Sequence, residues 1–352
     1  MRTLHADLTT AQQAVSGTPY IRLVFTKGAT TKTYTTRLKR LVHVEQPYGS
    51  IAQIWLDNAD LGVEDITGYY VDIGYGYNTT SGDRYSSAPR LWVIQQSEES
   101  EQGRLEAVLY LEDIWRILRE IQDIGGIGAT GPYLDVDYDG STKTVYGILE
   151  DLLETCGNVD LDALGVDDSI IDTLKPVFSI NAGSGLFEDV ASMIYRLLNM
   201  TKCFLRPSGN YAGDKLAGFV LVHPQDADAV DYSYYSDQAH YFLQCFWKDN
   251  VIQPNHIYVF ANQDELGTWD SIITGEHDAS ATEGIYDEDG DLLDLPEYHL
   301  AAELTSQGDA DLRAEAIYEK LFHEFEWGVV VVPHNCGQEL YDKVAVYDSR
   351  GV

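Results

Sequence analysis

The sequence has few basic residues for its length, and this scarcity argues against one class of function. Its 352 residues include 23 Lys and Arg against 57 Asp and Glu, for a formal net charge of −34. Affinity for nucleic acid comes mainly from Lys and Arg that neutralise phosphates, so a nucleic-acid-binding protein is not expected. The acidic excess either keeps the chain soluble or forms a surface that a polyanion such as DNA passes without adhering. Composition alone does not separate these two interpretations.

Cysteine and long apolar segments are also scarce. The four cysteines are Cys156, Cys203, Cys245 and Cys336. None of them has CxxC spacing, so no zinc or redox motif of that kind is expected, and we predict reduced, mostly buried thiols. The N-terminal residues lack the apolar segment of a signal peptide, and no run of about 18 apolar residues predicts a membrane span. We therefore expect a protein that is made in a cytoplasm and is soluble there.

The rest of the composition is typical of a folded, strand-rich protein. Apolar residues make up 44% of the chain and aromatic residues 11%, with 24 Tyr. These fractions are too high for a disordered chain, and Tyr, Val, Ile and Thr favour strands. At roughly 150 residues per domain, the length predicts two or three domains. We predict an α+β, mostly β protein with regions 1–122, 123–228 and 229–352.

Short strands separated by turn residues fill the first region. A polar arm is expected over residues 1–17. Apolar and β-branched segments separated by turn residues then predict strands at 20–26, 33–44, 50–56, 68–76, 91–95 and 105–110. A helix follows, whose apolar face consists of Leu111, Ile114, Trp115, Leu118 and Ile121. Strands of this number and spacing predict a sandwich or barrel that is closed by one helix.

The middle region mixes helices with strands, and the third region returns to strands. In the middle region we predict helices around 145–156, within 161–174 and over 187–198, the last with Ser184 as N-cap, and a hairpin at 203–222. In the third region we predict strands at 241–247, 255–261, 327–332 and 344–347, a hairpin at 285–295 and a helix over 310–325. The 327–332 strand is expected to be buried, because five of its six residues are apolar. The first and third regions share an order of short strands with one late helix, which indicates an architectural duplication.

One glycine-rich segment has the residue pattern of a nucleotide-binding motif but not its structural context. Residues 126–131 read Gly-x-Gly-x-x-Gly, as in a dinucleotide fingerprint. That motif needs a strand before it and a helix that opens at its end. Here a helix precedes the segment and an extended stretch follows, so we interpret it as an interdomain linker.

Two acidic clusters are candidate calcium loops that we interpret as turns. The first comprises Asp135, Asp137, Asp139 and Gly140. It matches the first half of an EF-hand loop, but a lysine and a tyrosine stand where the ninth and twelfth ligands belong. The second comprises Asp287, Asp289, Asp291 and Asp294. Its glycine comes too early for an EF-hand, and an Asp-Gly hairpin turn explains it. The sequence leaves open whether the loops 135–140 and 287–294 bind calcium.

No catalytic constellation is evident. His323-Glu324 lacks the second histidine of the HExxH zinc-protease motif. The segment 276–278, Glu-His-Asp, carries acid–base groups, but no nucleophile and no GxSxG motif accompany it, so we interpret it as a polar loop. A pair of glycosidase carboxylates stays an open alternative, because acidic pairs are frequent and their spacing is a three-dimensional property. We predict no enzyme, and we assign no catalytic, cofactor-binding or metal-binding residue.

Three stretches resemble the hub or tail-tip adaptor proteins of long-tailed phages and prophages. Residues 50–58 and 68–76 resemble the family's strand ending in Asn, its loop and its next strand ending in a Gly turn. Residues 176–206 resemble the small middle domain of such hubs. Residues 332–348 resemble the end of their second barrel, where a strand, a polar turn and a final strand follow a helix. Residues 11–13 and 17–20 also look like phage tail proteins.

This resemblance implies a fold and an assembly. Such hubs carry two tail-tube-like antiparallel β-barrel domains, here 1–122 and 229–352, with a small α/β domain between them. They form homotrimers, so three copies make a ring of six barrels around the DNA channel. The ring joins the sixfold tail tube or distal tail protein to threefold tip, spike or fibre proteins, and the tape measure protein is a further partner. DNA would pass through without specific binding. The implied location is the virion tail, assembled in the host cytoplasm.

Two other functions stay open at this point. A glycan- or receptor-binding module of a tail tip would use the 24 Tyr and six Trp as stacking surfaces. We prefer core packing as the explanation of these aromatic residues. A cell-wall hydrolase would use scattered carboxylates. Some relatives carry a lytic domain after the barrels, which we do not expect in this chain.

Overall fold

Strands dominate the structure. A computed structural model of the chain describes residues 1–14, 17–123, 138–165, 169–178, 188–209, 211–238, 241–249, 253–263, 269–280, 284–301, 304 and 306–349. Strand is about twice as frequent as helix, so the predicted α+β, mostly β class is confirmed. Within these residues, no helix combines the length and the apolar character that a membrane crossing requires.

An eight-stranded antiparallel sheet follows the short helix α1 (Ala6–Gln12). Its strands are β1 (Thr18–Lys27), β2 (Thr30–Thr33), β3 (Leu38–Val44), β4 (Ile51–Asp57), β5 (Tyr70–Thr79), β6 (Gly82–Ser87), β7 (Leu91–Glu101) and β8 (Arg104–Glu112). The order is β2-β1-β5-β7-β8-β4-β3, and β6 also pairs with β5. No closed barrel is found among the described residues. The predicted strands of the first region are present, except that the segment 33–44 becomes a strand only at Leu38, because Thr35–Arg37 form a 3-10 turn. Sequence reasoning missed the polar strands β2 and β6.

Alternate residues of this sheet face one hydrophobic cluster. The cluster includes Leu23, Phe25, Ile54, Leu56, Val71, Ile73, Leu91 and Leu109. Successive side chains of a strand point to opposite faces, so this spacing gives the sheet one buried face.

Helix α2 (Ile114–Glu120) leads out of the sheet into a second hydrophobic cluster. Asp113 caps the helix by accepting a hydrogen bond from the Trp115 backbone N–H at 3.0 Å. Its other carboxylate oxygen accepts from the Ser50 N–H at 2.7 Å. Burial raises the pKa of Asp113 to about 6, although both of these bonds act to lower it. One side chain therefore joins the start of α2 to the start of β4.

The middle region contains short strands and three helices in its described residues. The elements are β9 (Gln122–Asp123), β10 (Tyr138–Asp139), α3 (Val145–Glu150), β11 (Asp160–Leu161), α4 (Ser169–Thr173), β12 (Val177–Phe178), β13 (Glu188–Asp189), α5 (Val190–Leu198), β14 (Phe204–Ser208) and β15 (Gly218–Val222). A π-helical turn, Asp151–Cys156, continues α3. The predicted hairpin is confirmed as the antiparallel pair β14–β15.

The predicted N-cap of the 187–198 helix is wrong. Helix α5 begins at Val190, and the Asp189 carboxylate accepts the hydrogen bond from the Ser192 N–H at 2.8 Å. The two residues before Val190 pair with β9 as a strand, which excludes a helix there. Ser184 itself lies outside the described residues.

The described residues of the third region form three small sheets and one long helix. The elements are β16 (Tyr232–Tyr235), β17 (Gln244–Asp249), β18 (His256–Gln263), β19 (Trp269–Asp278), β20 (Pro296–Ala301), α6 (Gln307–Phe325), β21 (Glu326–Val331) and β22 (Val344–Tyr347). β16 pairs with β22, and β17 pairs with β21. β18 lies between β19 and β20, antiparallel to the first and parallel to the second.

Helix α6 packs on one face of the β19-β18-β20 sheet at very short range. Ala310 and Ala314 of the helix are buried, as are Ile257 and Val259 of the sheet. A Cβ atom at Gly275 would lie 2.2 Å from the carbonyl carbon and oxygen of Ala310. Glycine is therefore required at this position, because any side chain would overlap the helix backbone. We call this helix-covered side the inner face.

The hydrophobic clusters do not follow the three predicted regions one by one. The eight-stranded sheet has its own cluster, whereas residues from α2 through α6 share a second one. The boundaries 122/123 and 228/229 stay predictions. Cys156, Cys203 and Cys336 are buried and Cys245 is exposed, and all four are reduced, as expected.

The polar arm predicted for residues 1–17 contains a helix and is anchored to the C-terminal segment. Leu8 of α1 is buried. The Arg2 N–H donates to the Gly337 carbonyl at 2.8 Å, and the Met1 amine donates to Asp342 at 2.8 Å. The two ends of the described chain therefore meet beside the first sheet.

A cleft of about 750 Å³ lies between the first sheet and residues 332–340. His43 of β3 lies in its wall, with Nδ1 2.8 Å from the hydroxyl of Tyr75. Burial, together with the positive charges of Arg2 and His334, lowers the pKa of His43 to about 4. The imidazole is therefore neutral in the folded protein near pH 7.

We expect Gly275→Ala to lower the free energy of unfolding by about 2 kcal/mol, because the new methyl group forces α6 away from the sheet. Urea denaturation followed by circular dichroism measures this change. Gly308→Ala is the matched control, since a Cβ at Gly308, also in the α6 region, meets open space. Equal effects of the two substitutions would contradict the close packing.

We expect the protein to lose stability between pH 6.5 and pH 4 because of His43. In this window the unfolded chain binds a proton that the folded chain does not, so stability falls as the pH falls, by up to about 3 kcal/mol. His43→Gln removes this dependence in urea denaturation at pH 7 and pH 4. The raised pKa of Asp113 acts with the opposite sign, but equally in both proteins. Identical pH profiles for the variant and the wild type would refute the prediction.

Candidate assembly surface

The outer face of the β19-β18-β20 sheet carries large apolar side chains. Tyr258 pairs with Tyr298, and Phe260 pairs with Leu300, on the neighbouring strands. Tyr298 and Leu300 are 63% and 61% exposed. The rings of Tyr258 and Tyr298 are stacked, with centroids 5.5 Å apart. We call the set Tyr258, Phe260, Ile272, Tyr298 and Leu300 the C-terminal patch.

The pair β17–β21 forms a ribbon that is exposed on both faces. Phe246 and Trp247 are adjacent in sequence, so they point to opposite faces, and both are exposed, Trp247 by 59%. Val329, opposite Phe246, and Val331 are also exposed. An isolated two-stranded ribbon is marginally stable in water, so this one needs further contacts.

The ribbon overturns the prediction of a buried strand at 327–332. Strand β21 occupies this segment, but Val329 and Val331 are exposed and Val330 is only half-buried. Because β21 pairs only with β17 in the described part of the chain, no further strand shields it there. An apolar run can equally belong to a surface that becomes buried by assembly.

The first sheet has an apolar area on its outer face as well. Val44 of β3 lies opposite Ile51 of β4, and Tyr110 of β8 lies opposite Gln53 on the same face. Val42, Val44, Ile51 and Tyr110 are exposed, and we call them the N-terminal patch. Both strand-rich parts of the chain therefore carry apolar residues on neighbouring strands. Contiguous exposed apolar areas are typical of interaction sites, whereas single exposed residues are not.

The β7–β8 hairpin concentrates negative charge at its tip. Glu99 lies directly opposite Glu106, and Glu98 and Glu101 are exposed nearby. The turn is Gln102-Gly103, and both residues have the positive φ of a tight hairpin turn. Like charges on directly opposite residues repel, so this tip favours water over contact with an apolar or acidic surface.

The structure explains the second acidic cluster as a turn, as predicted. One Asp287 oxygen accepts hydrogen bonds from the backbone N–H groups of Asp289 and Asp291, each at 2.9 Å. Gly290 has a φ of 88°, which favours glycine. The turn connects Tyr286 and Leu292, which form an isolated bridge.

The other motif residues lie partly outside the described residues. Residues 126–131, Asp135 and Asp137 lie outside the described residues. Asp139 belongs to β10 and pairs with Val177. His323 is exposed near the end of α6.

The segment 276–278 is the end of strand β19, so its interpretation as a polar loop is wrong. Strand alternation separates its three side chains. His277 points to the inner face and contacts Tyr318, with ring centroids 4.5 Å apart. Glu276 and Asp278 lie on the outer face, next to His256 at the start of β18.

His256 is a residue that sequence reasoning did not single out. Its Nε2 lies 2.7 Å from Glu276, and its Nδ1 lies 3.0 Å from Asp294. Burial acts to lower the pKa of His256, but the bonds to these carboxylates outweigh it and raise the pKa above its usual value. The three residues lie 18 or more positions apart in sequence, and only the pairing of β18 with β19 and the path of the 284–295 loop bring them together. No local pattern could have revealed this cluster.

Comparison with known proteins rests on structure. Neither a protein-family model nor a curated protein sequence matches the chain. The tail protein from Neisseria meningitidis MC58 is similar over 95% of this chain and 87% of that chain, with a TM-score of 0.61 and 11% identity. The 43 kDa tail protein of prophage MuSo2 from Shewanella oneidensis covers 88% of this chain and 81% of its own, with a TM-score of 0.54 and 11% identity.

A third structure extends the same likeness. The prophage tail protein gp18 from Listeria monocytogenes EGD-e is similar over 84% of this chain and 76% of that chain, with a TM-score of 0.50 and 10% identity. At sequence identities this low, the similarity to these structures shows that the fold is shared. The resemblance to phage tail proteins is thereby confirmed at that level, and the chain has the fold of prophage tail proteins over most of its length.

Proposed function

We propose that this chain is a structural component of a phage-type tail, a hub or tip adaptor that acts by assembly and not by catalysis. The observation that carries the proposal is the pair of apolar patches on the outer faces of the two strand-rich parts. A net charge of −34 keeps the chain soluble, but it does not explain why apolar side chains are exposed together on two sheet faces. Contact with other tail subunits would explain them, and the fold shared with prophage tail proteins supports this explanation.

The proposed assembly is a homotrimer. Each copy contributes two strand-rich units, residues 1–122 and 229–352, as tail-tube-like barrels around the small middle domain. The sheets of one chain do not close by themselves in the described residues, so we propose that contacts between copies complete and cover them. The edges of strands that lack a partner would otherwise invite non-specific pairing. Three copies then give six barrels in one ring.

The proposed ring joins parts of different symmetry in the virion tail. Six similar barrels match a sixfold tail tube or distal tail protein on one side. Three subunits match threefold tip, spike or fibre proteins on the other side, with the tape measure protein as a further partner. DNA passes through the ring without specific binding, because acidic residues outnumber basic ones by 57 to 23. Exposed acidic elements such as the β7–β8 tip support this proposal.

We expect the purified chain to form particles of three times the 39.3 kDa monomer mass, and Leu300→Lys to weaken them. Burial of a leucine side chain contributes roughly 1.5–3 kcal/mol, so its loss weakens association by about tenfold or more. Mass photometry over a concentration series measures this change. Leu61→Lys is the matched control, since Leu61 is 70% exposed in the loop after β4 and outside both patches.

Electron microscopy of the same particles distinguishes the proposal from its rivals. The expected image is a ring with threefold symmetry and six lobes. A chain that stays monomeric at high concentration, even with tail partners present, argues decisively against the hub. Turnover of cell-wall or glycan substrates by the purified chain would contradict the non-enzymatic role.

We also expect no retention of double-stranded DNA by the assembled protein at low salt. The acidic excess repels phosphates, and repulsion is strongest where screening is weakest. A gel-shift series from low to physiological ionic strength measures this. A DNA complex that forms at low salt and dissociates as salt is added would contradict passage without binding.

A further inference from the structure

Four side chains converge at one end of the outer face of the β19-β18-β20 sheet. The His256 side chain is only 7% exposed, whereas Glu276, Asp278 and Asp294 are each about half exposed. The Nδ1 atom of His256 lies 3.0 Å from an Asp294 oxygen and 3.9 Å from an Asp278 oxygen. Its Nε2 atom lies 2.7 Å from Glu276. The imidazole is thus buried with a carboxylate at both nitrogens.

The surrounding backbone holds these groups in position. Fully buried Asn255 donates a hydrogen bond to the Leu293 carbonyl and accepts one from the Leu295 N–H, both at 2.8 Å. These two bonds fix the loop residue between them, Asp294, against the start of β18. The Asp278 carboxylate accepts hydrogen bonds from the backbone N–H and hydroxyl of Ser280, at 2.8 and 2.5 Å. Both aspartates are therefore positioned by bonds that do not involve His256.

Carboxylates outnumber cationic groups around this imidazole. In the described residues, the carboxylates of Glu276, Asp278 and Asp294 all lie within 4 Å of its ring nitrogens. A divalent cation held between the imidazole and these carboxylates would offset their mutual repulsion.

The geometry points to a binding site for a divalent transition-metal ion of the Zn²⁺ or Mn²⁺ class, with His256, Glu276 and Asp278 as ligands. Bonds of about 2.0–2.2 Å in tetrahedral arrangement separate neighbouring ligand atoms by about 3.4 Å. The ligand atoms of these three residues all lie within 4.8 Å of one another, so small rotations of the two half-exposed carboxylates would bring them to that spacing. A mixed imidazole and carboxylate set suits these metals, and the half-exposed carboxylates leave a path for entry.

Asp294 has a separate role in this site. A metal-bound histidine usually donates its other ring N–H to a carboxylate, which fixes the tautomer and the orientation of the ring. Asp294, 3.0 Å from Nδ1, is placed to accept that hydrogen bond, which leaves Nε2, beside Glu276, for the metal. The inference concerns one chain and does not depend on the proposed ring.

The test is isothermal titration calorimetry. The full chain is first freed of metal with a chelator, and ZnCl₂, MnCl₂ or CaCl₂ is then titrated into it in separate experiments. We expect one equivalent of Zn²⁺ or Mn²⁺ to bind, with Ca²⁺ weaker. Zn²⁺ at a hundredfold excess over its Kd should raise the melting temperature by about 4 °C. His256→Gln and Asp294→Asn should each weaken binding at least about tenfold.

A control and a second readout keep the test decisive. Glu288→Gln removes a carboxylate of the same loop outside the cluster, and it should bind Zn²⁺ like the wild type. Circular dichroism establishes that each variant is folded, and if His256→Gln is not, Asp278→Asn replaces it. Co²⁺ titration should give the visible absorption of a tetrahedral site in the wild type and in Glu288→Gln, and not in the variants of the cluster. No stoichiometric binding by the wild type, or unchanged binding by the folded variants, would overturn the inference.

Discussion

The contact between the backbone of α6 and Gly275 is the constraint on which the third region depends. A helix that approaches a sheet this closely can cover only one of its faces, and here the small residues Ala310 and Ala314 make that approach feasible. Strand alternation then assigns every other residue to the uncovered face. Tyr298, Leu300 and the histidine cluster lie there for the same geometric reason. The location of the C-terminal patch and of the candidate metal site therefore follows from one helix–sheet contact.

The charge of the chain makes the uncovered apolar faces the regions best suited to contact between copies. Copies that each carry a net charge of −34 repel one another, and an association between them needs surfaces without acidic residues. The apolar residues of the two patches and of the β17–β21 ribbon meet that need. Acidic groups lie elsewhere, as at the β7–β8 tip, or gather around His256 at the end of the patch. A cation bound there would reduce the local negative charge beside the apolar surface.

Sequence reasoning succeeded where the relevant pattern is local. The strands of the first sheet and helix α2 were predictable because alternation or helical spacing appears within a few residues. The Asp-Gly turn at 289–290 was predictable for the same reason. It failed for β2 and β6, whose residues are polar, and for the start of α5, where pairing of β13 with β9 excludes helix. The prediction that β21 is buried was also wrong, because an apolar segment does not reveal whether it is buried within its own chain or by a partner.

The sequence by itself determined the strand-rich class, the acidic surface and the resemblance to phage tail proteins, because composition and short-range periodicity carry that information. Only the tertiary structure decided that the ends of the chain meet, that α6 leaves one sheet face open, and that His256 joins Glu276, Asp278 and Asp294. These relations bring together residues that lie far apart in sequence. They depend on strand register and on close backbone approach, which no local pattern records.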